Sequence, residues 1–173
     1  MIKALVLIAN GSEEVETLFP VDVLRRAGVL VDLTSINEKI VVCSRNVSVV
    51  ADKLFCEVNP LEYDVVVVPG GLNGSKNISN DEVVVKAISL MMEKGKLIAS
   101  ICAAPALVLA KHNLIKGRKA TCFPDKEFIS LIGENYTGES VTVDGKLITA
   151  SGPKSALDFS LAICKALCVT PAI

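Results

Sequence analysis

The sequence predicts a doubly wound α/β sandwich, in which helices cover both faces of a mostly parallel central sheet and small hairpins are added. Short apolar runs rich in β-branched residues alternate with segments of helical periodicity, and no internal repeat or linker interrupts them. Hydrophobic residues make up 51% of the 173 positions. A chain of this length and composition can bury a core without metals or disulfides, so we expect a single domain over residues 1–173.

The first half of the chain supplies five predicted strands and one predicted helix. An apolar strand over residues 2–9 leads through an Asn-Gly-Ser turn into a helix over residues 13–27, which ends at Gly28. An alternating strand over residues 29–36 follows, and residues 40–43 and 47–50 form a predicted hairpin. The β-branched run over residues 63–68 stops at Pro-Gly-Gly and is typical of a central strand covered on both faces.

The second half continues the alternation. We expect a helix over residues 81–94, a strand over 97–101, a helix over 103–111, a strand over 119–123, a hairpin over 141–151 and a final helix over 155–167. In such folds ligands bind beyond the carboxyl ends of the strands. Candidate chemistry is therefore expected in the loops at residues 10–16, 69–74 and 100–105.

Charge and cysteine usage exclude several classes of protein. Lysine and arginine number 18 and aspartate and glutamate 19, which predicts neither a nucleic-acid nor a membrane partner. The short apolar N-terminal stretch turns acidic, unlike a signal peptide, and no apolar run approaches the ~20 residues of a membrane helix. Six scattered cysteines without a CxxC pair predict reduced thiols in the cytoplasm. Without a phosphate-binding glycine loop or a metal-spaced His/Cys set, we expect no cofactor and no metal.

Cys102 is the strongest candidate for a reactive group. The sequence passes from strand to helix at this residue with no turn residues between, which predicts a sharp elbow like that of α/β-hydrolases. A thiol at a helix N-terminus is expected to have a lowered pKa. The alternative is that Cys102 is a small buried apolar residue, as free cysteines usually are. The only histidine, His112, lies ten residues later, roughly 15 Å along the helix, so we expect no Cys-His dyad within the chain.

Carboxylates and glycines are the other candidates near the thiol. Glu13, Glu14 and Glu16 lie in the loop after the first strand, and one of them could face the sulfur and act as a general base or a hydrogen-bond donor. Acidic residues also favour helix N-termini for structural reasons alone. Gly70 and Gly71 could offer backbone amides to a substrate oxygen, although Gly-Gly after a strand is also a common turn.

Six segments together resemble one known family. NGSEEVET, PVDVLRRAG, VVCSR, YDVVVVPGG, IASICAAPALVLA and SGPKSALDFSLAI are similar to the DJ-1 branch of the ThiJ/PfpI superfamily, over nearly the whole chain. The resemblance implies a flavodoxin-like homodimer in which Cys102 is an oxidisable nucleophile and Glu16 is the carboxyl that hydrogen-bonds it. It further implies nearby backbone amides and basic positions at the pocket or dimer interface. The amides would be those of Gly70, Gly71 and Ala103, and the basic residues Arg26 and Arg45.

Three features depart from that family's pattern. Phe123 stands where some members carry a histidine near the thiol, and Lys154 stands where a glycine is common. The chain ends at Ile173, so we expect the additional C-terminal helix of the human-type members to be absent. These departures make histidine-assisted catalysis less expected but leave Glu16 and Cys102 in place.

The resemblance and the residues together favour one activity over two others. The leading hypothesis is a cofactor-free glyoxalase or deglycase that acts on methylglyoxal or early glycation adducts and protects against oxidative stress. The alternative is a non-enzymatic redox sensor or chaperone that works through oxidation of Cys102. A cysteine protease is a third and weaker hypothesis, because His112 would have to act from a neighbouring subunit.

Overall fold

The computed structural model describes residues 1–173 and confirms the doubly wound α/β sandwich. The strands are β1 Lys3–Ile8, β2 Leu30–Ser35, β3 Ile40–Val42, β4 Ser48–Val50, β5 Lys53–Leu54, β6 Val65–Val68, β7 Leu97–Ile101, β8 Val141–Asp144 and β9 Leu147–Ala150. The α-helices are α1 Glu14–Arg26, α2 Leu72–Asn80, α3 Glu82–Glu93, α4 Lys126–Ile132 and α5 Ala156–Ala166. A short π-helix, Pro105–Ala110, follows β7 and is called the elbow helix.

Seven strands form the central sheet in the order β5-β2-β1-β6-β7-β9-β8. All neighbours are parallel except the β8–β9 pair, which is antiparallel, as the predicted hairpin about Asp144 and Gly145 requires. The order β2-β1-β6-β7-β9 is that of a flavodoxin-like sheet. Strands β3 and β4 form the second predicted hairpin, separate from this sheet.

Strands β6 and β7 are buried at every residue because helices cover both faces of the sheet. A core cluster of 23 buried residues lies beneath α1 and α5, and one of 18 lies beneath α2, α3 and the elbow helix. This two-sided cover explains the unbroken valine run, since no residue of such a strand faces water. No helix combines the length and the apolar composition that crossing a membrane requires.

The prediction of a strand over residues 119–123 is wrong. Only Ala120 makes a bridge, to Tyr136, and the neighbouring amides bond elsewhere. The Thr121 amide donates to the side chain of Thr149, and the Phe123 amide donates to the carbonyl of Cys102. The segment is apolar because it is partly buried, but its hydrogen bonds go to several different partners rather than to one strand.

Two helices, α2 and α4, were not predicted. The α2 segment, LNGSKNISN, is rich in asparagine and contains Gly74, all of which lower helix propensity. Its fold depends on a tertiary contact, because the backbone of Gly74 lies so close to Ser12 that a Cβ there would come within 2.5 Å of it. Topology then places the starts of α1, α2 and the elbow helix at one edge of the sheet. Backbone bonds from Gly11 to Val42 and from Ser44 to Ser12 fold the β3–β4 hairpin over that edge.

Candidate active site

Cys102 lies at the junction of β7 and the elbow helix in a left-handed backbone conformation, with φ of +66°. Such a conformation is uncommon for residues other than glycine and is a feature of strained functional positions. Two hydrogen bonds hold it: the Cys102 amide donates to Ala150 (2.8 Å), and the Cys102 carbonyl accepts from the Phe123 amide (2.8 Å). The predicted elbow is therefore present, and the backbone alone maintains it.

Glu16 is fully buried in the first turn of α1, beside the thiol. The turn is set by Glu13, whose Oε2 accepts a hydrogen bond from the Glu16 amide (2.9 Å). The Gly70 amide donates to Glu16 Oε2 (3.0 Å), and the Gly70 carbonyl accepts from the Glu13 amide (3.1 Å). A Cβ at Gly70 would overlap Glu16 Oε2 and approach the Cys102 Cβ to 2.5 Å. Glycine is thus required where the carboxyl and the thiol meet.

Glu16 and Cys102 alter each other's ionisation. Burial raises the pKa of Glu16 to about 7, although hydrogen bonding with Cys102 and with the Gly70 amide acts in the opposite direction. Burial, followed by the charge of Glu16, raises the pKa of Cys102 to about 12. The expectation that the helix N-terminus lowers the thiol pKa is therefore wrong for the resting pair. Burial and a neighbouring carboxylate outweigh the local dipole.

Backbone amides favour the thiolate once the carboxylate charge is removed. The backbone amides of Gly71 and Ala103 lie near the sulfur and act to lower the pKa of Cys102, although burial and the charge of Glu16 outweigh them. The thiol lies near Glu16 without meeting the geometry of a well-formed hydrogen bond, and Glu16 Oε1 has no partner of that quality. Transfer of the thiol proton to Glu16 would neutralise the carboxylate, and the two amides would then stabilise the negative charge on the sulfur. The Gly70 amide, by contrast, orients Glu16 rather than facing the sulfur.

Cys102 opens into a pocket of about 460 Å³ at the carboxyl edge of the sheet, within the usual size range of small-molecule sites. Loops after β1 and β6, the β3–β4 hairpin and the start of α4 all contribute to it. Its lining comprises Gly11, Glu13, Ser44, Arg45, Gly71, Leu72, Asn73, Cys102, Ala103, Phe123, Asp125, Phe128 and Pro153. The pocket thus places the thiol within reach of a small-molecule substrate.

Glu14 attaches the hairpin to the pocket. Its carboxylate accepts a hydrogen bond from Ser44 Oγ (2.9 Å) and another from the Arg45 amide (2.5 Å). Burial alone would raise the pKa of Glu14, but hydrogen bonding to its own backbone amide, together with that to Arg45, Ser44 and Val47, outweighs burial and lowers the pKa. Arg45 is consequently part of the pocket wall. Arg26 is not: it lies exposed at the far end of α1 and pairs with Asp22 (2.8 Å).

The remaining candidate groups do not meet the thiol. His112 lies beyond the far end of the elbow helix, where Nε2 is 2.9 Å from Ser79 Oγ, and it does not line the pocket. Cys43 and Cys122 are buried, and burial raises the pKa of Cys43 to about 11 and that of Cys122 to about 12. No group of three or more His, Cys, Asp or Glu side chains is arranged to hold a metal ion. Cys102 is thus the only cysteine that lines this pocket.

Sequence reasoning missed two parts of this site. Phe128 and Asp125 reach the pocket because α4 begins at its rim, and α4 was not predicted. The signal was present, since Asp125 is a good N-cap and its carboxylate accepts from the Glu127 amide (2.8 Å). The anchoring role of Glu14 had no sequence signal, because Ser44 and Arg45 are 30 and 31 residues away along the chain.

Comparison with known proteins identifies the family of this chain. The DJ-1/PfpI family model matches residues 2–166. DJ-1 homolog B of Arabidopsis thaliana is 42% identical over 160 residues, which cover 92% of this chain and 36% of that protein. The chain therefore spans about a third of that relative's length. Protein dj-1beta of Drosophila melanogaster is 40% identical over 166 residues, which cover 95% of this chain and 88% of that protein.

A solved structure shares the whole fold. Oxidized DJ-1 of Toxoplasma gondii superposes with a TM-score of 0.91 at 38% identity, covering 96% of this chain and 91% of that one. The family match extends over all the loops that form the pocket, from Gly11 to Pro153. On the sequence, the fold and this match together, the chain belongs to the DJ-1/PfpI family.

Proposed function

We propose that this protein is a cofactor-free, glyoxalase-like enzyme that converts methylglyoxal to lactate, and that related additions reverse early glycation. One observation carries the proposal: a thiol projected by a strained elbow lies beside a buried carboxyl whose pKa is about 7, at the base of an open pocket. A carboxyl with that pKa is present in both protonation states near neutral pH. It can therefore remove a proton at one step and return it at the next.

The reaction needs no group beyond the pair and water. The Cys102 sulfur adds to the aldehyde carbon while Glu16 takes the thiol proton, and that proton passes to the carbonyl oxygen to give a hemithioacetal. Glu16 then moves the proton from the former aldehyde carbon to the neighbouring carbon through an enediol, while the hydroxyl proton of the hemithioacetal passes to the neighbouring oxygen, which yields a lactoyl thioester. Water hydrolyses the thioester, releasing lactate and restoring the thiol. The amides of Gly71 and Ala103 support the sulfur and the nearby oxyanion.

Lactate formation from methylglyoxal tests the proposal directly. Wild-type protein is compared with Cys102→Ser and Glu16→Ala, with lactate measured enzymatically and its absolute configuration determined. We expect both variants to lose at least ~100-fold in kcat/KM, the usual scale for a nucleophile or a general base. Equal, negligible rates for all three proteins would refute the activity.

A redox sensor is the second candidate, and a specific feature of Glu16 favours it. Its Oε1 is buried without a well-formed hydrogen bond, so an oxygen added to the sulfur of Cys102 would provide a partner for a protonated carboxyl. The similar structure from Toxoplasma gondii is of an oxidized protein. Intact-mass and peptide analysis after mild peroxide should find the first added oxygen on Cys102. Earlier oxidation of exposed Cys56 or Cys168 would contradict this role.

We also infer a cytoplasmic homodimer. Apolar side chains are exposed on α1, at Leu18 and Phe19, and on the adjacent hairpin, at Ile40 and Val50. The six cysteines are free, as in a reducing compartment. Sedimentation should give twice the chain mass and shift toward the monomer in Phe19→Glu, whereas a monomeric wild type would exclude the dimer. Cell fractionation tests the location.

A further inference from the structure

Several apolar side chains line the thiol pocket, and the chemistry of Glu16 and Cys102 does not use them. Leu72 and Phe123 line it with 51% and 44% of their surface exposed, and half-buried Phe128 lies beside them. Of the polar lining residues, Glu13, Ser44 and Arg45 come from the α1 loop and the hairpin, whereas Asn73 lies in α2 and Asp125 at the start of α4. The pocket therefore offers polar groups to carbonyl oxygens and exposed apolar side chains to an apolar substituent.

Phe123 is held in this exposed position by the catalytic elbow itself. Its amide donates to the carbonyl of Cys102 (2.8 Å). Its ring lies against Gly152, where a Cβ would come within 3.3 Å of Phe123 Cδ2. The Phe123 side chain is fixed in place, yet 44% of its surface is exposed rather than buried in the core. It presents a preformed surface next to the sulfur, and preformed surfaces bind without an ordering cost.

The pocket is also large for methylglyoxal. A volume of about 460 Å³ is in the range that drug-sized ligands fill, whereas methylglyoxal is far smaller. If the aldehyde carbon of methylglyoxal is bonded to the sulfur of Cys102, the small methyl group leaves much of the Phe123 and Phe128 rings in contact with water. A larger apolar substituent would displace that water and gain free energy from the area it covers.

We propose that the site prefers α-oxoaldehydes that carry an aryl or comparably bulky apolar substituent, with the ring against Phe123 and Phe128. This inference rests on the proposed glyoxalase-like function and specifies its substrate class. The bond changes are those of the parent reaction. The sulfur adds to the aldehyde carbon, Glu16 moves the proton to the neighbouring carbon, and water releases an aryl-substituted 2-hydroxy acid. For phenylglyoxal that product is mandelate.

The kinetic test compares phenylglyoxal with methylglyoxal in three proteins: wild type, Phe128→Ala and the control Leu131→Ala. Leu131 lies on the same helix, is 39% exposed where Phe128 is half-buried, and does not line the thiol pocket. We expect kcat/KM for phenylglyoxal to exceed that for methylglyoxal about tenfold in the wild type. The ratio should fall about fivefold in Phe128→Ala and stay unchanged in Leu131→Ala. The different intrinsic reactivities of the two aldehydes cancel when the ratio of each variant is divided by the wild-type ratio, so the fall in Phe128→Ala is the decisive result.

A second measurement does not depend on turnover. Cys102 is alkylated with N-phenylmaleimide or N-methylmaleimide, each rate is divided by that for glutathione, and the site is verified by peptide mass. We expect a normalised preference for the phenyl reagent that Phe128→Ala reduces and Leu131→Ala does not. If Cys102 prefers the phenyl reagent but neither aldehyde is turned over, the proposed function is refuted and aryl binding at Phe123 and Phe128 is supported. Turnover of methylglyoxal with no aryl preference in either assay would overturn the aryl inference alone.

Discussion

Replacement of Glu16 by glutamine should make the protein more stable at neutral and alkaline pH while abolishing its activity. The pKa of this buried carboxyl is raised from its ordinary value of 4.5 to about 7, mainly by burial. In the unfolded chain it ionises near the ordinary value. Folding thus favours the protonated form of Glu16. Its stabilising contribution to the free energy of unfolding is complete below about pH 4.5 and is lost as the pH rises through about 7.

The magnitude follows from the two pKa values. Each pH unit is worth about 1.4 kcal/mol, so the displacement of the Glu16 pKa corresponds to about 3 kcal/mol. Glutamine has nearly the same shape, its oxygen can still accept from the Gly70 amide, and it does not ionise. The difference in free energy of unfolding between Glu16→Gln and wild type should therefore grow by about 3 kcal/mol from about pH 4.5 to about pH 8. For a chain of this size that equals roughly 6–12 °C in Tm.

Urea denaturation at a series of pH values, at one fixed protein concentration, measures this difference. Glu93→Gln is the matched control, because Glu93 is exposed at the end of α3. It should show no pH-dependent change of this kind. A constant offset between Glu16→Gln and wild type across the whole range would refute the reasoning. It would mean that folding does not disfavour ionisation of Glu16.

Three further predictions concern the surroundings of the pair. Gly70→Ala places a Cβ against Glu16 Oε2 and the Cys102 Cβ, so we expect a loss of about 2 kcal/mol in urea denaturation and little remaining lactate formation. Near-normal stability and activity would contradict the contact. Glu14→Gln weakens the bonds to the hairpin, so amide hydrogen exchange at Arg45 should accelerate and KM should rise, more than in the exposed Glu93→Gln. His112→Ala should leave kcat/KM within about twofold, since the ring bonds Ser79 outside the pocket; a large loss would implicate a neighbouring subunit.

The fold was largely predictable because buried parallel strands consist of consecutive apolar residues, which are easily recognised in a sequence. The valine run of β6 and the elbow at Cys102 are local features, and both are found where the sequence predicts them. The α2 helix was not predictable in this way, since its weak propensity is compensated by a contact with Ser12 from another part of the chain. The prediction of a strand at residues 119–123 was wrong for a related reason. Its apolar composition indicates that the segment is buried, but not that it pairs with a neighbouring strand.

The proximity of Glu16 and Cys102 was predictable from the sequence, but the electrostatics of the pair were not. The loops that carry Glu16 and Cys102 follow from the topology of parallel sheets. The direction of the thiol pKa does not, because burial and the charge of Glu16 act through space. Arg26 and Arg45 illustrate the same limit. Both were placed at the pocket or dimer interface by resemblance, yet only Arg45 lines the pocket within this chain, since Glu14 holds the hairpin there.

The bonds at the elbow separate the position of the nucleophile from its identity. The main chain of residue 102 is held by Ala150 and by Phe123, and neither bond involves the sulfur. A different side chain at this point would therefore leave the backbone along the same direction and enter the same pocket. The elbow can therefore present a substituted side chain to the pocket in an engineered protein. Selenocysteine, or a synthetic thiol analogue, installed there would meet the unchanged Glu16 carboxyl and the amides of Gly71 and Ala103, so new reactivity could be introduced without rebuilding the site.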